Sequence, residues 1–128
     1  RLPLDRIRRG DPSIAEAEAG PGNRIHVDDL VSVLRAAGDS LLAVNRIYNV
    51  GDGEHASSTV YFRTVARLAG LPEPPELPRA QVRTQVSPAM WSFLADSRRV
   101  DTTRMREELR IALRYPDVES GVRASLAG

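Results

Sequence analysis

The chain has no cysteine, no lysine, two histidines and few aromatic residues. Each shortage removes a class of function. Without cysteine there are no disulfides, no thiolate nucleophile and no cysteine–zinc site. His26 and His55 lie far apart in sequence, which argues against a histidine-built metal centre. With aromatics at 5%, the core must be aliphatic and rich in alanine. No apolar run approaches the roughly 20 residues that cross a bilayer, so no membrane partner is expected. No signal-peptide pattern is visible, and a cytoplasmic setting is the expectation. The chain starts Arg1-Leu2-Pro3-Leu4, without methionine, which suggests a processed, truncated or incompletely recorded protein.

What is present is ordinary for one globular domain of 128 residues: 41% hydrophobic, 27% charged, net charge +1. All 18 basic residues are arginines, interleaved with 17 acidic ones. Nucleic acid calls for a concentrated basic face, so it is not an expected partner. There is no internal repeat.

Leu2, Leu4 and Ile7 mark a short helix over 3–9, with Pro3 suited to its first turn and Gly10 ending it. Residues 11–23 are rich in turn formers and read as loop. Arg24–Val27 is a short strand or extended run. Asp28 then caps a helix whose Leu30, Val31, Leu34 and Ala37 share a face, ending at Gly38. A strand is predicted at Arg46–Val50. Ser57, Ser58 and Thr59 compete to cap a helix through Ala69, with Tyr61, Val65, Leu68 and Ala69 inward and Gly70 closing it. The proline-rich stretch 70–78 reads as a stiff extended linker. Ser87-Pro88 opens a helix carrying Met90, Trp91, Phe93 and Leu94. Arg98–Val100 is read as extended. Asp101 or Thr102 caps a helix with Met105 and Leu109 inward and Glu107 and Glu108 outward. Val118, Val122 and Leu126 suggest a last helix. Only one or two short strands emerge beside five or six helices, and two short strands do not make a stable sheet alone. The half-apolar strand 46–50 suits addition to a larger parallel sheet.

Several residues invite a chemical reading. Gly51-x-Gly53-x-x-Ala56 fits the dinucleotide pattern in letters, but Asp52 and Glu54 put negative charge where a pyrophosphate would sit. A tight turn is the better reading. His26 is either a base or substrate contact, or a half-buried ring bonded to backbone. Asp28 and Asp29 read as helix-start carboxylates rather than an acid–base pair. Arg24, Arg98 and Arg99 can grip an anion bidentately, or form surface salt bridges.

Four segments together resemble one family. They are Asn23-Arg24-Ile25-His26-Val27-Asp28-Asp29-Leu30; the Arg46–Glu54 stretch with Tyr48-Asn49-Val50; Ser97-Arg98-Arg99-Val100-Asp101 running on to Leu109; and Arg114-Tyr115-Pro116-Asp117-Val118. Their order and spacing are similar to the carboxyl-terminal half of the extended short-chain dehydrogenases/reductases, the NAD-dependent epimerase/dehydratase proteins. The resemblance covers nearly the whole chain. It departs at Arg110-Ile111, where relatives place Gly-Trp; a missing glycine there costs about 1 kcal/mol if a left-handed conformation is needed.

That resemblance implies an α/β fold: the C-terminal part of a Rossmann-like doubly wound sheet plus a mostly helical substrate lobe. Residues 1–69 would complete the nucleotide-binding core and 70–128 would form the lobe. Arg24, His26, Arg98 and Arg99 would be substrate-binding. The family's catalytic Tyr-x-x-x-Lys is missing, because Asp52, Val65 and Glu119 follow Tyr48, Tyr61 and Tyr115 at that spacing. The implied cofactor is NAD or NADP in the intact protein, with none bound by this chain alone. The implied partners are the N-terminal nucleotide-binding half and a small-molecule substrate, possibly a nucleotide sugar; a homodimer is also compatible. Alone, the chain would lack catalysis. The alternative expectation is a self-standing helical interaction module.

Overall fold

A computed structural model describes residues 1–128. Its architecture is mostly helical with a small parallel sheet. The helices are α1 (Leu4–Arg8), α2 (Val27–Asp39), α3 (Ser58–Ala69), α4 (Arg79–Gln85), α5 (Pro88–Ala95), α6 (Thr103–Leu109) and α7 (Val118–Ala127). The strands are β1 (Ser13–Ile14) and β2 (Glu76–Leu77), paired in parallel with Ser13 opposite Glu76 and Ile14 opposite Leu77. Single 3₁₀ turns lie at Glu16–Glu18 and Leu41–Ala43. No helix is long and apolar enough to cross a membrane.

Local chemistry explains the helix limits. Ser57 and Ser87 cap α3 and α5 by accepting from Val60 and Met90 amides. Asp117 does the same for α7 through Ser120. Gly70 ends α3 at φ +69°, and the Gly70 and Leu71 amides return to the Ala66 and Arg67 carbonyls. The cap of α2 is His26, whose Nδ1 accepts from the Asp28 amide at 3.1 Å; Asp28, the expected cap, sits inside the first turn. Helix α4 has no sequence forecast, since only Val82 of its seven residues is buried.

The two strands fall in segments expected to be loop and linker. Prolines explain both: Pro12 precedes β1, and Pro75 and Pro78 bracket β2 and hold it extended. The Ser13 and Ala15 amides donate to the Pro75 and Leu77 carbonyls at 2.8 Å. The forecast strand at 46–50 has no strand neighbour. It has no regular secondary structure, and no amide from Ile47 to Gly51 donates to another backbone group.

The core has three parts. Ile7, Val65, Ala66, Val118 and Val122 form the first. Ile14, Phe62, Val82 and Leu94 form the second. Val33, Met105 and Leu109 form the third, with Ile25, Tyr48 and Val50 packed on it. Each draws on both sides of residue 70. Helix α3 serves the first two, so its buried stripe (Phe62, Val65, Ala66) is rotated from the expected Tyr61–Val65–Leu68–Ala69 face, whose Tyr61 and Leu68 are only partly buried. On α2, Val33 is buried while Val31 and Leu34 are 41% and 63% exposed, the reverse of expectation. Leu30 and Ala37 of the expected face are partly buried.

Helix α6 ends at Arg110 with φ +53° and ψ +41°. That left-handed conformation opposes a side chain by about 1 kcal/mol. Arg110→Gly is expected to raise unfolding free energy by about that amount in urea titration; a loss of stability would contradict the assignment.

Candidate functional site

An open cleft of about 970 Å³ lies between α1, α3, α5, α7 and the run from Arg24 to Leu30. Leu2, Leu4, Met90, Phe93, Val118 and Val122 give it apolar walls, and Arg6, Arg24, His26, Tyr61 and Tyr115 give it polar groups. Of the four residues forecast from sequence, Arg24 and His26 border this cleft. Arg98 and Arg99 do not; both are exposed, and Arg98 approaches Asp96 at 3.5 Å.

Arg24 is fixed from two sides. Its Nη1 donates to the Ala56 carbonyl at 2.6 Å, and its guanidinium lies 4.4 Å from the Tyr61 ring centre. Gly22 permits this: a Cβ there would stand 2.7 Å from the same Ala56 oxygen. Burial lowers the Arg24 pKa, and Tyr61, Asp52 and Glu54 pull it back up. The group stays cationic. Burial in turn pushes the Tyr61 phenol up, opposed by Arg24.

His26 is held by two contacts and by burial. Its Nδ1 accepts from Asp28, its ring meets Tyr115 at 4.2 Å, and its side chain is only 10% exposed. Accepting at Nδ1 leaves the proton on Nε2, so the neutral ring is a donor there. Tyr115 is placed by Asp29, a 3%-exposed carboxylate that accepts from the Arg114 and Tyr115 amides at 2.9 Å each. Of the two adjacent acids, only Asp29 makes side-chain hydrogen bonds; Asp28 contributes its backbone amide.

Two residues here escape sequence reasoning. Asn23 donates to the Arg98 carbonyl, accepts from the Val100 amide and meets His55, tying three segments beside Arg24. In sequence it is one turn former among many. Arg6 is 5% exposed and borders the cleft. Its place in a short amphipathic helix suggests solvent instead.

The Gly51–Ala56 turn does not form a phosphate cradle. Asp52 Oδ1 accepts from the Glu54 amide, Glu54 Oε2 accepts from Val118, and α3 starts later under its own serine cap. The residues present do not fit a pyrophosphate. The arrangement as a whole suits binding and orienting a small molecule. It contains no lysine to pair with a tyrosine.

No family model and none of the curated proteins matches the chain. Solved structures do match. A protein from Silicibacter pomeroyi DSS, described as functionally unknown and conserved, superposes at TM-score 0.75 with 30% identity, over 94% of this chain and 42% of its own. The human epimerase family protein SDR39U1 (isoform 2), solved with NADPH, superposes at TM-score 0.72 with 18% identity, over 94% of this chain and 40% of its own. The chain spans less than half the length of either. It shares its fold with part of an epimerase-family protein.

Two outcomes follow for the site's scaffold. Asp29→Ala strands two partly buried amides and is expected to cost about 2–3 kcal/mol in denaturant unfolding; a change within about 0.5 kcal/mol would deny the carboxylate its role. Asp52 has its pKa raised, chiefly by burial. Its charged form is therefore disfavoured in the folded chain, and that penalty applies above the raised pKa and fades as pH falls through it. Asp52→Asn keeps an acceptor without the charge. It should melt higher than wild type at neutral pH, with the gap closing in acid; a gap that widens in acid would reverse the sign.

Proposed function

We propose that the chain is the carboxyl-terminal portion of an NAD(P)-dependent epimerase, dehydratase or reductase of the extended short-chain dehydrogenase/reductase type. Residues 1–69 complete a nucleotide-binding core carried by preceding sequence, and 70–128 supply a helical substrate lobe. Alone the chain turns over nothing.

One observation carries this reading. Residues 47–50 alternate: Tyr48 and Val50 pack on the third core cluster, while Ile47 (83% exposed) and Asn49 are exposed, and the amides of all four are unpaired. An unpaired, apolar strand edge is a surface proteins normally cover. Beside it in sequence, α2 and the following turn expose Val27, Val31, Leu34, Leu41, Leu42 and Val44. Seven of the nine large exposed apolar residues thus fall within 27–47. A sheet adding at 46–50, with its neighbouring elements against α2, would bury them. The fold shared with part of SDR39U1, a protein solved with NADPH, supports the same reading.

The dinucleotide, whose nicotinamide would exchange hydride with a substrate carbon, belongs to the preceding portion. This chain's part is to hold the substrate. Arg24 presents a fixed cation, His26 an Nε2 donor, and Tyr115 a ring that orients the imidazole. Arg98 and Arg99 join the substrate contacts only if the added portion or the substrate extends towards the Asn23-bound segment.

Calorimetry with NADH and NADPH tests the proposal. The chain alone is expected to bind neither, and the chain with its preceding coding sequence restored is expected to bind one with micromolar affinity. Val31→Asp should weaken that assembly without unfolding the chain. Micromolar binding by the isolated chain would refute the division of labour.

A further inference from the structure

Arg6 is out of place for a structural arginine. It is 95% buried, yet no carboxylate lies within ion-pair reach. The nearest acid in sequence beyond the helix, Asp11, is taken by Arg9 at 2.9 Å. Arg6 Nη2 donates to the Pro12 carbonyl at 2.6 Å, and the guanidinium covers the Phe62 ring at 4.6 Å. Nη1 has no acceptor. A buried cation lacking both a counter-charge and a full set of acceptors is strongly unfavourable unless something else supplies them.

The surroundings indicate what would supply them. Arg6 borders the cleft, and so do Arg1 and Arg24, neither of which is in a salt bridge. The acids on the cleft are already occupied. Asp5 meets Arg8 at 3.3 Å, Asp117 caps α7, and Asp52 accepts from Glu54. Three guanidiniums without a carboxylate partner therefore border a cleft whose apolar walls come from aliphatic and aromatic side chains. Phe93, on the same cleft, is 49% exposed.

We propose that Arg6 anchors the carboxylate or phosphate of a small molecule with an apolar body, held between the Met90–Phe93 and Val118–Val122 walls. This rests on the reading of the cleft as a substrate site and names the substrate's class. Arg6 Nη1 is covered by its neighbours, so seating the anion includes a side-chain shift at the cleft floor. The anion takes the free Nη1 donor, and Phe62 fixes the guanidinium plane beneath it.

The rival within the chain is Ser13, whose Oγ is also buried without a partner, one residue from the carbonyl that Arg6 already holds. A small rotation pairing the two would leave nothing for a ligand.

The test is calorimetric titration of the full protein with benzoate, phenyl phosphate, inorganic phosphate and benzyl alcohol. The ¹⁵N guanidinium resonances of the unaltered protein are followed in parallel. Benzoate or phenyl phosphate should bind at least about tenfold more tightly than benzyl alcohol, and whichever wins decides between carboxylate and phosphate. The Arg6 resonance should move on binding, which needs no variant and so survives any folding defect. Arg6→Gln should abolish the preference for the anion, and Ser13→Ala should leave it intact. Equal binding of anion and alcohol, a motionless Arg6 resonance, or a preference kept in Arg6→Gln would overturn the proposal. If Arg24→Gln loses the preference and Arg6→Gln keeps it, the cleft remains a substrate site and only the Arg6 anchor falls. If none of the aromatic probes binds, the substrate-site reading falls as well.

Discussion

Helix α3 is the member against which most of the chain is built. Phe62, Val65 and Ala66 are 2% exposed or less, and they belong to two different clusters. One side of α3 receives α1 and α7; another receives β1, α4 and α5. Thr59 adds a buried hydroxyl that donates to the Ile14 carbonyl at 2.5 Å, fixing β1 to the helix. Because α1, α5 and α7 all depend on α3, they leave a cleft between them whose floor includes Tyr61 and Phe62. The aromatic pair that packs the core also supports Arg24 and Arg6. Site and core are one construction.

The opposite end of the chain is built differently. Val33, Met105 and Leu109 make a small cluster, and Tyr48, whose hydroxyl donates to Glu108 at 2.7 Å, closes part of it. Beyond it lie an exposed apolar stretch of α2 and a run, 47–50, without a strand neighbour. Burial of such residues contributes roughly 25 cal/mol per Å² of apolar surface, so leaving seven large ones exposed forgoes a substantial stabilisation. The proposal of a missing neighbour accounts for both the exposed side chains and the unpaired amides.

Much of this was legible in the residues, and the failures have physical causes. The serine caps of α3 and α5 and the left-handed closure at Gly70 act within a few residues, and Val118, Val122 and Leu126 recur at helical spacing, so helices α3, α5 and α7 could be placed. The strained end of α6 was visible as an arginine where a glycine suits. Helix α4 was not visible, because one buried valine makes no periodic signal. Two-residue strands depend on a partner more than 60 positions away. The inward faces of α2 and α3 were misjudged because hydrophobic spacing identifies a stripe but not what covers it. Arg24 and His26, singled out by motif, border the cleft, whereas the contacts of Arg6, Asn23 and Asp29 arise only when distant segments meet. The resemblance to the extended dehydrogenases/reductases agrees with the shared fold, while its assignments of substrate contacts remain proposals.

The central claim is that residues 47–50 are a strand edge lacking its neighbour. Hydrogen exchange at the Ile47, Tyr48, Asn49 and Val50 amides tests it most directly, with the α3 amides as the internal standard. In the isolated chain these four should exchange near the rate of an unstructured peptide while Val65 and Ala66 are protected. With the proposed nucleotide-binding portion present, they should slow together. Protection of all four in the isolated chain would mean that the edge is already satisfied, and would contradict the account.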